Sequence, residues 1–353
     1  MYLSRLDLLT FLPPPQSRCG VPYIGWAVPL PEKALIAQIR RIAKPANSVT
    51  RTGIGDDCAV LRPDRGRNTR GIEILVTTDF SLEDIHFHRD RHPPESVGFR
   101  CLARGLSDIA AMGGKPVAAF LSLALPRGLS QTWVSRFTRG LLSLAEKFSV
   151  TLAGGDTAES PNGIFADIVV LGTVPKGKAV LRSGARPGDR IFVSGELGGA
   201  AAAVLQLRTK PRKKLNPRYY PRHFYPQPRI ELGRFLRQER LATAMIDLSD
   251  GLSTDLAHIC EESHVGGELE SSVIPRASVG KPAQEVSLDL ALHGGEDYEL
   301  LFTAPPDRHI PSQIAGVPLT HIGSIKQHPG LYLFNERRVR SELTPRGWEH
   351  FRR

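Results

Sequence analysis

Six places along this chain set a carboxylate where an apolar run stops or a glycine turn begins: Asp56 with Asp57, Asp79, Asp108, Asp156, Asp247 with Asp250, and Glu296 with Asp297. A carboxylate at a strand end lies at the rim of a sheet, where turns and sites form. The apolar runs between these points therefore read as separate strands and helices. Helical spacing begins at Leu35, Ile36, Ile39 and Ile42. Strands are expected at 72–78, 117–125, 150–153, 164–174, 190–194, 243–247 and 298–303. Helices are expected at 94–112, 133–148, 198–207 and 249–262, the first of them stopped by Gly113, Gly114 and Pro116. Strands alternating with helices predict a mixed α/β architecture.

At 353 residues the chain is long enough for two domains of about 150 residues each. The expected division is an N-terminal unit at 32–174 and a C-terminal unit at 175–353. Residues 1–31 hold Pro13, Pro14, Pro15, Pro22, Pro29 and Pro31, so helix cannot run through them. They read as a poorly structured extension or an overlong start, without the basic and apolar pattern of a signal peptide. No apolar run approaches the roughly 18 residues of a membrane span, and Cys19, Cys58, Cys101 and Cys260 show no metal-ligand spacing. A cytoplasmic, soluble protein is expected.

The net charge of +10 is local. Between Arg208 and Arg240 eleven Lys and Arg face two acids, so this stretch carries nine of the ten charges. The charge describes one segment and does not mark the whole protein as nucleic-acid-binding. Within it, 208–228 is basic and Pro-rich and reads as a loop or insertion. Its Tyr219, Tyr220, Phe224 and Tyr225 could stack on single-stranded nucleic acid. A solvated insertion is the favoured reading, because charge runs usually face solvent.

A single Asp beside a Gly is more often a turn former or helix cap than a ligand. Six such places together point elsewhere. Hard carboxylate oxygens with no Cys or His spacing beside them suit Mg²⁺, which keeps waters and is shared with substrate phosphates. The familiar nucleotide motifs are missing. The run from Gly172 to Ala179 nearly matches a P-loop, but Ala179 lacks the hydroxyl that would hold Mg²⁺ and Pro175 removes an N–H from the cradle. No kinase loop signature and no G-x-S-x-G appear.

Seven motifs in order carry a resemblance. They are Gly53-Ile-Gly-Asp56-Asp57-Cys58-Ala59, Thr77-Thr78-Asp79, Leu106-Ser107-Asp108-Ile-Ala-Ala-Met112-Gly113, Gly154-Gly155-Asp156-Thr157, Arg182-Ser-Gly-Ala-Arg-Pro-Gly188-Asp189, Ile246-Asp247-Leu-Ser249-Asp250-Gly251 and Gly294-Gly295-Glu296-Asp297-Tyr298-Glu299-Leu300. Together they resemble the thiamine-monophosphate kinase family, in the superfamily of aminoimidazole ribonucleotide synthetase and selenophosphate synthetase. The resemblance covers about 32–351. It implies a two-domain PurM-like fold, in which N-terminal sheet domains form a shared barrel in a homodimer and C-terminal α/β domains lie outside. It implies phosphoryl transfer from ATP to thiamine monophosphate, with several Mg²⁺ ions. The apolar runs and the local charge add the expectation of no membrane partner and disfavour nucleic acid as one.

Residue by residue, the resemblance matches Asp56, Thr77, Thr78, Asp79, Asp108, Asp156, Asp247 and Asp250 to Mg²⁺-binding positions. Gly155, Asp156, Arg182 and Ser249 match ATP contacts, and His86, Glu296 and Trp348 match substrate contacts. Charge stabilisation is expected chiefly from Asp79, Asp156 and Asp250. Trp348 could hold a cationic thiazolium by its ring face or simply pack the C-terminal domain. His86 is chosen over nearby His88 and His92 by its offset from Asp79.

The implied reaction suits these residues. A phosphate monoester has its second pKa near about 6, so it needs no strong base. The obstacle is an anion attacking an anion, which metal ions and an arginine relieve. Direct in-line transfer with no covalent intermediate is expected. Three features depart from the family pattern: the 1–31 extension, a longer basic turn at 62–70, and the cationic 208–228 segment. Rival readings are another enzyme of the superfamily, such as an aminoimidazole ribonucleotide synthetase or a hydrogenase-maturation dehydratase, or a non-catalytic nucleotide- or nucleic-acid-binding module. The Gly294 to Leu300 motif and His86 argue for the thiamine enzyme, and the complete set of acids argues against a non-catalytic module.

Overall fold

Leucine and β-branched side chains at every second position make strands that bury one face and leave the other open. In the computed structural model, which describes residues 31–43, 49–62, 71–209 and 214–348, such strands build the first of two large sheets. It contains β1 (Thr50–Thr52), β2 (Ala59–Leu61), β3 (Ile72–Leu82), β4 (Lys115–Pro126), β5 (Thr151–Ser160) and β6 (Phe165–Pro175), in the order β1-β2-β3-β6-β4-β5. Every pairing is antiparallel except β4 with β5.

Helix α1 (Glu32–Ile42) buries none of its residues and is tied to the rest by Arg40 and Glu262, 2.7 Å apart. The next two, α2 (Pro94–Ala111) and α3 (Gln131–Lys147), pack on each other and cover one face of the first sheet. They meet backbone to backbone. A Cβ at Gly98 would stand 1.9 Å from the Phe137 carbonyl oxygen, and one at Gly140 would stand 1.9 Å from that of Glu95. Leu102, Leu106, Phe137 and Leu141 fill this layer with no exposure.

The second sheet holds β7 (Arg190–Ser194), β8 (Ala244–Asp247) and β9 (Gly266–Glu270). A small hairpin, β10 (Ser278–Val279) and β11 (Gln284–Glu285), stands apart. The sheet continues with β12 (Leu300–Ala304), β13 (Gln313–Ile314), β14 (Val317–Lys326), β15 (Gly330–Phe334) and β16 (Arg340–Glu342). Its order is β16-β15-β9-β14-β7-β12-β8, with β13 paired to β14. The helices of this half are α4 (Gly199–Thr209), α5 (Pro221–Phe224), α6 (Ile230–Gln238), α7 (Leu252–Ser263) and α8 (Leu288–His293). Ile230, Leu232 and Leu236 of α6 belong to the same apolar core as α2, so the two halves share side chains instead of merely touching.

The fold is the expected mixed α/β arrangement in two sheet-based units. Three local readings change. Strand β5 does not stop at 153 but runs through Gly154, Gly155 and Asp156, because it pairs with β4 along its length. Gly155, at φ +149°, permits this: a Cβ there would meet the Leu121 carbonyl oxygen at 1.8 Å. Helix α7 begins at Leu252, three residues later than the reading from 249, because Ser249, Asp250 and Gly251 form the turn that precedes it.

The third change concerns 214–228, whose aromatic side chains are docked while Lys214 and Arg218 remain exposed to solvent. Phe224 and His223 are buried, Tyr225 sits edge-on to Phe99, Tyr220 packs on the small cluster around Phe224, and Lys281 lies over Tyr219. None of the four aromatics stands clear as a stacking platform. Residues 1–30, 63–70 and 210–213 lie outside the described residues, and with them most of the extension and of the long basic turn. Among the described residues, no helix is long and apolar enough to cross a membrane.

Candidate active site

A cleft of about 520 Å³ opens between the two units. Asp79 and His86 reach it from β3 and the turn beyond, and Asp108 and Arg104 from α2. From the second unit come Asp247 at the end of β8, Ser249 and Asp250 of the following turn, Glu296 of the glycine loop, and Trp348. Backbone pairing assembles that side. The Glu296 and Tyr298 N–H groups donate to Ser249 and Leu248 carbonyls at 2.8 and 2.9 Å, and the Trp348 N–H donates to the Asp250 carbonyl at 3.2 Å. The buried Asp255 carboxylate accepts from the Asp250 and Gly251 N–H groups and so holds the turn.

At the cleft's deep end three carboxylates converge. One ligand atom each from Asp57, Asp108 and Asp247 lie within 4.8 Å of one another. Thr77 donates a short hydrogen bond to Asp108, and Ser107 donates to Asp247 at 2.6 Å. Arg182 pairs with Asp57 at 2.6 Å, and its N–H donates to Asp56. Burial raises all of these acids. Asp247 is pushed up to about 8 by burial and then by Asp57. Asp56 rises to about 7 by burial and then by Asp57, against the pull of Arg182. Asp250 rises to about 6, again by burial first. Asp108 and Asp79 are raised by burial, with Asp79 adding to Asp108 and Arg104 restraining Asp79. The Oδ2 atoms of Asp57 and Asp79 are buried without a hydrogen-bond partner, which a native interior rarely tolerates.

The other end of the cleft is apolar and aromatic. Ile85, Ala201, Val204, Leu205 and Leu290 line it, with Trp348 near the mouth, 44% exposed and overlain by the Arg208 guanidinium at 5.4 Å. Trp348 is therefore not packed into the interior of the second unit. His86 Nδ1 accepts from the Leu82 N–H at 3.0 Å, which puts the neutral ring's proton on Nε2.

Of the residues singled out in the sequence, Asp79, His86, Asp108, Asp247, Ser249, Asp250, Glu296 and Trp348 line this cleft. Thr77, Asp56 and Arg182 stand just behind it through the contacts above. Thr78 does not face it: its hydroxyl donates to Asp167 at 2.7 Å, on the open face of the first sheet. Gly155 and Asp156 lie on the edge strand β5, exposed, with Asp156 in register with Ser122. Sequence reasoning passed over Asp57 as a ligand, although its neighbour Asp56 was chosen. It also missed Arg100 and Arg104, which share a face of α2 with Asp108 at four-residue spacing, a signal that was available.

Two family models of AIR synthase related proteins match the chain, the N-terminal domain over residues 55–174 and the C-terminal domain over residues 186–334. The thiamine-monophosphate kinase of Salmonella typhimurium is 37% identical over 303 residues, covering 83% of this chain and 90% of that protein. That of Bacillus subtilis is 33% identical over 309 residues, covering 85% and 93%. A solved structure described as AaThiL complexed with AMPPCP and TMP matches with a TM-score of 0.77 at 31% identity, over 91% of this chain and 97% of that one. A HypE–HypF complex reaches a TM-score of 0.70 at only 18% identity, a likeness of fold alone. The chain belongs to the thiamine-monophosphate kinase family.

Proposed function

We propose that this protein transfers the γ-phosphoryl group of ATP to thiamine monophosphate, releasing thiamine diphosphate and ADP. The observation that carries the proposal is the two-ended cleft: buried acids at one end, and an apolar, aromatic end with an ionised Glu296 at the other. The first suits two phosphate-bearing anions brought together with divalent cations. The second suits a flat cationic heterocycle. The relatives above carry the same activity in their names.

Asp57, Asp108 and Asp247 would hold Mg²⁺, with Asp56, Thr77, Asp79 and Asp250 around them. The donor set is all oxygen, and two buried carboxylate oxygens there have no hydrogen-bond partner. Bound Mg²⁺ supplies positive charge against the phosphate oxygens of both substrates. Arg182 adds a guanidinium at this end, backed by Asp56 and Asp57, and Ser249 and Gly155 contact the nucleotide. Thr78 and Asp156, which the family resemblance matches to metal-binding positions, lie on the open face and the edge of the first sheet, outside this cleft, and would take part only through the dimer proposed below. His86, Glu296 and Trp348 orient thiamine monophosphate so that its phosphate oxygen points at the γ-phosphorus. That oxygen is already ionised at neutral pH, so no side chain needs to remove a proton and none becomes phosphorylated.

We further propose a homodimer working in the cytoplasm. The face of the first sheet turned away from α2 and α3 leaves Ile72, Phe80, Val117, Phe120 and Phe165 exposed together, an apolar area that a second copy would cover. The activity is tested by ADP release in ATP and Mg²⁺ with and without thiamine monophosphate, with the product identified by mass. Release only with the acceptor, with thiamine diphosphate formed and inversion at the γ-phosphorus, is expected. Acceptor-independent release, or retention, would overturn it.

A further inference from the structure

Glu296 occupies an awkward position. Its backbone has φ +66°, and its carboxylate reaches the cleft with only 21% of the side chain exposed. Burial alone would raise this carboxyl, yet Arg100 and then His223 hold it well below the ordinary range. Arg100, on α2, donates through Nη2 to Oε1 at 2.6 Å and through Nη1 to the His86 carbonyl at 3.0 Å. One buried guanidinium thus spans two residues that line the substrate end, one from each half of the chain.

The second oxygen of Glu296 faces a histidine from the basic segment. His223 Nδ1 lies 3.6 Å from Oε2, beyond hydrogen-bond distance, and is buried with no hydrogen-bond partner, so its only polar neighbour of note is the carboxylate charge. His223 Nε2 lies 2.9 Å from His92 Nε2. Both rings are buried, and burial holds both neutral. Their protons have one favourable arrangement. His92 Nδ1 accepts the His88 N–H at 3.0 Å, so its Nε2–H donates to His223 Nε2. The His223 proton then sits on Nδ1, pointing at the carboxylate. The alternative, with His92 Nδ1–H donating to the His88 carbonyl at 3.1 Å, would turn a His223 lone pair toward a negative charge.

We propose that Arg100 and His223 are positioning residues for the Glu296 carboxylate against the cationic heterocycle of the substrate: Arg100 by its direct ion pair, and His223 by an Nδ1–H dipole that its hydrogen bond to His92 turns toward the second oxygen. The inference rests on the thiamine monophosphate reading and extends it. It also makes the docked 214–228 segment, which departs from the family pattern, a part of the substrate end.

In the full-length protein, His223→Leu and His223→Asn are each made alone and together with Glu296→Gln. Asparagine keeps an N–H where Nδ1 stands. His223→Leu is expected to raise KM for thiamine monophosphate about tenfold, while kcat and KM for ATP stay within about twofold. His223→Asn should stay within about twofold throughout. In the Glu296→Gln background the leucine change should add less than about twofold, because its target has lost its charge. The same tenfold rise in both backgrounds, or a loss confined to kcat, would overturn the proposal. Nitrogen-15 spectra of the imidazoles in the wild-type protein give an answer that needs no substrate and no variant. A His223 protonated on Nδ1 is expected, and one protonated on Nε2 would contradict the arrangement. Wild-type turnover reports separately on the substrate reading, so the two can fail independently.

Discussion

Asp56 and Asp247 keep their protons up to about pH 7 and about pH 8, and Asp297 up to about 7, in each case because burial penalises the charged form. The unfolded chain loses these protons near about pH 4. Between pH 6.5 and 8.5 the folded state therefore binds more protons than the unfolded one, and stability falls as pH rises through that window. His92 and His258, lowered to about 2 and about 3 by burial, act in the opposite sense, but only below about pH 6.5, where the unfolded imidazole takes up its proton. Urea unfolding of the metal-free protein should give a lower midpoint at pH 8.5 than at pH 6.5, and saturating Mg²⁺ should shrink the difference by competing for the carboxylates. A midpoint independent of pH would contradict this electrostatic picture. Most of the acids were legible in the sequence because each ends a strand or opens a turn. Which member of the Asp56–Asp57 pair turns inward was not, since it depends on where Arg182, 125 residues away, comes to lie.

Helix α2, which carries Asp108, is held between α3 and the first sheet. The contact between α2 and α3 has no room for a side chain at Gly140, where an added Cβ would sit on the Glu95 backbone. Gly140→Ala should push the helices apart and cost roughly 3 kcal/mol, seen as a lower urea midpoint with α3 still helical by circular dichroism. An unchanged midpoint would show that the helices can separate freely. Helix and strand types followed from apolar spacing, as in α2 and β6. The element that sequence reasoning misjudged was 214–228. Its charge run looked solvent-facing, and Lys214 and Arg218 do face solvent, yet Arg222, with Arg229 just beyond the segment, turns inward to the buried Glu299, at 2.6 Å in the case of Arg222. A charged run loses its usual meaning when a buried acid elsewhere in the chain neutralises it. No local pattern reveals that partner.

At the scale of the molecule, two sheets meet so that acids from distant stretches share one cleft, and the first sheet keeps an apolar face uncovered. Phe120→Asp, on that face, should convert a dimer to a monomer in sedimentation equilibrium. A wild-type chain that sediments as a monomer would contradict the assembly. The dimer was foreseen only through family resemblance, because alternation in β3 and β4 tells which side chains share a face and not what covers them. The central claim is that these converging acids allow two mutually repelling phosphates to react. Its most direct test is the turnover of Asp79→Asn and Asp250→Asn with ATP, Mg²⁺ and thiamine monophosphate, beside circular dichroism of each. Loss of one charge-handling group in such a site costs about 10²–10³-fold in kcat, so a fall of that order with an unchanged spectrum is the predicted result. Wild-type turnover in both variants would contradict the account.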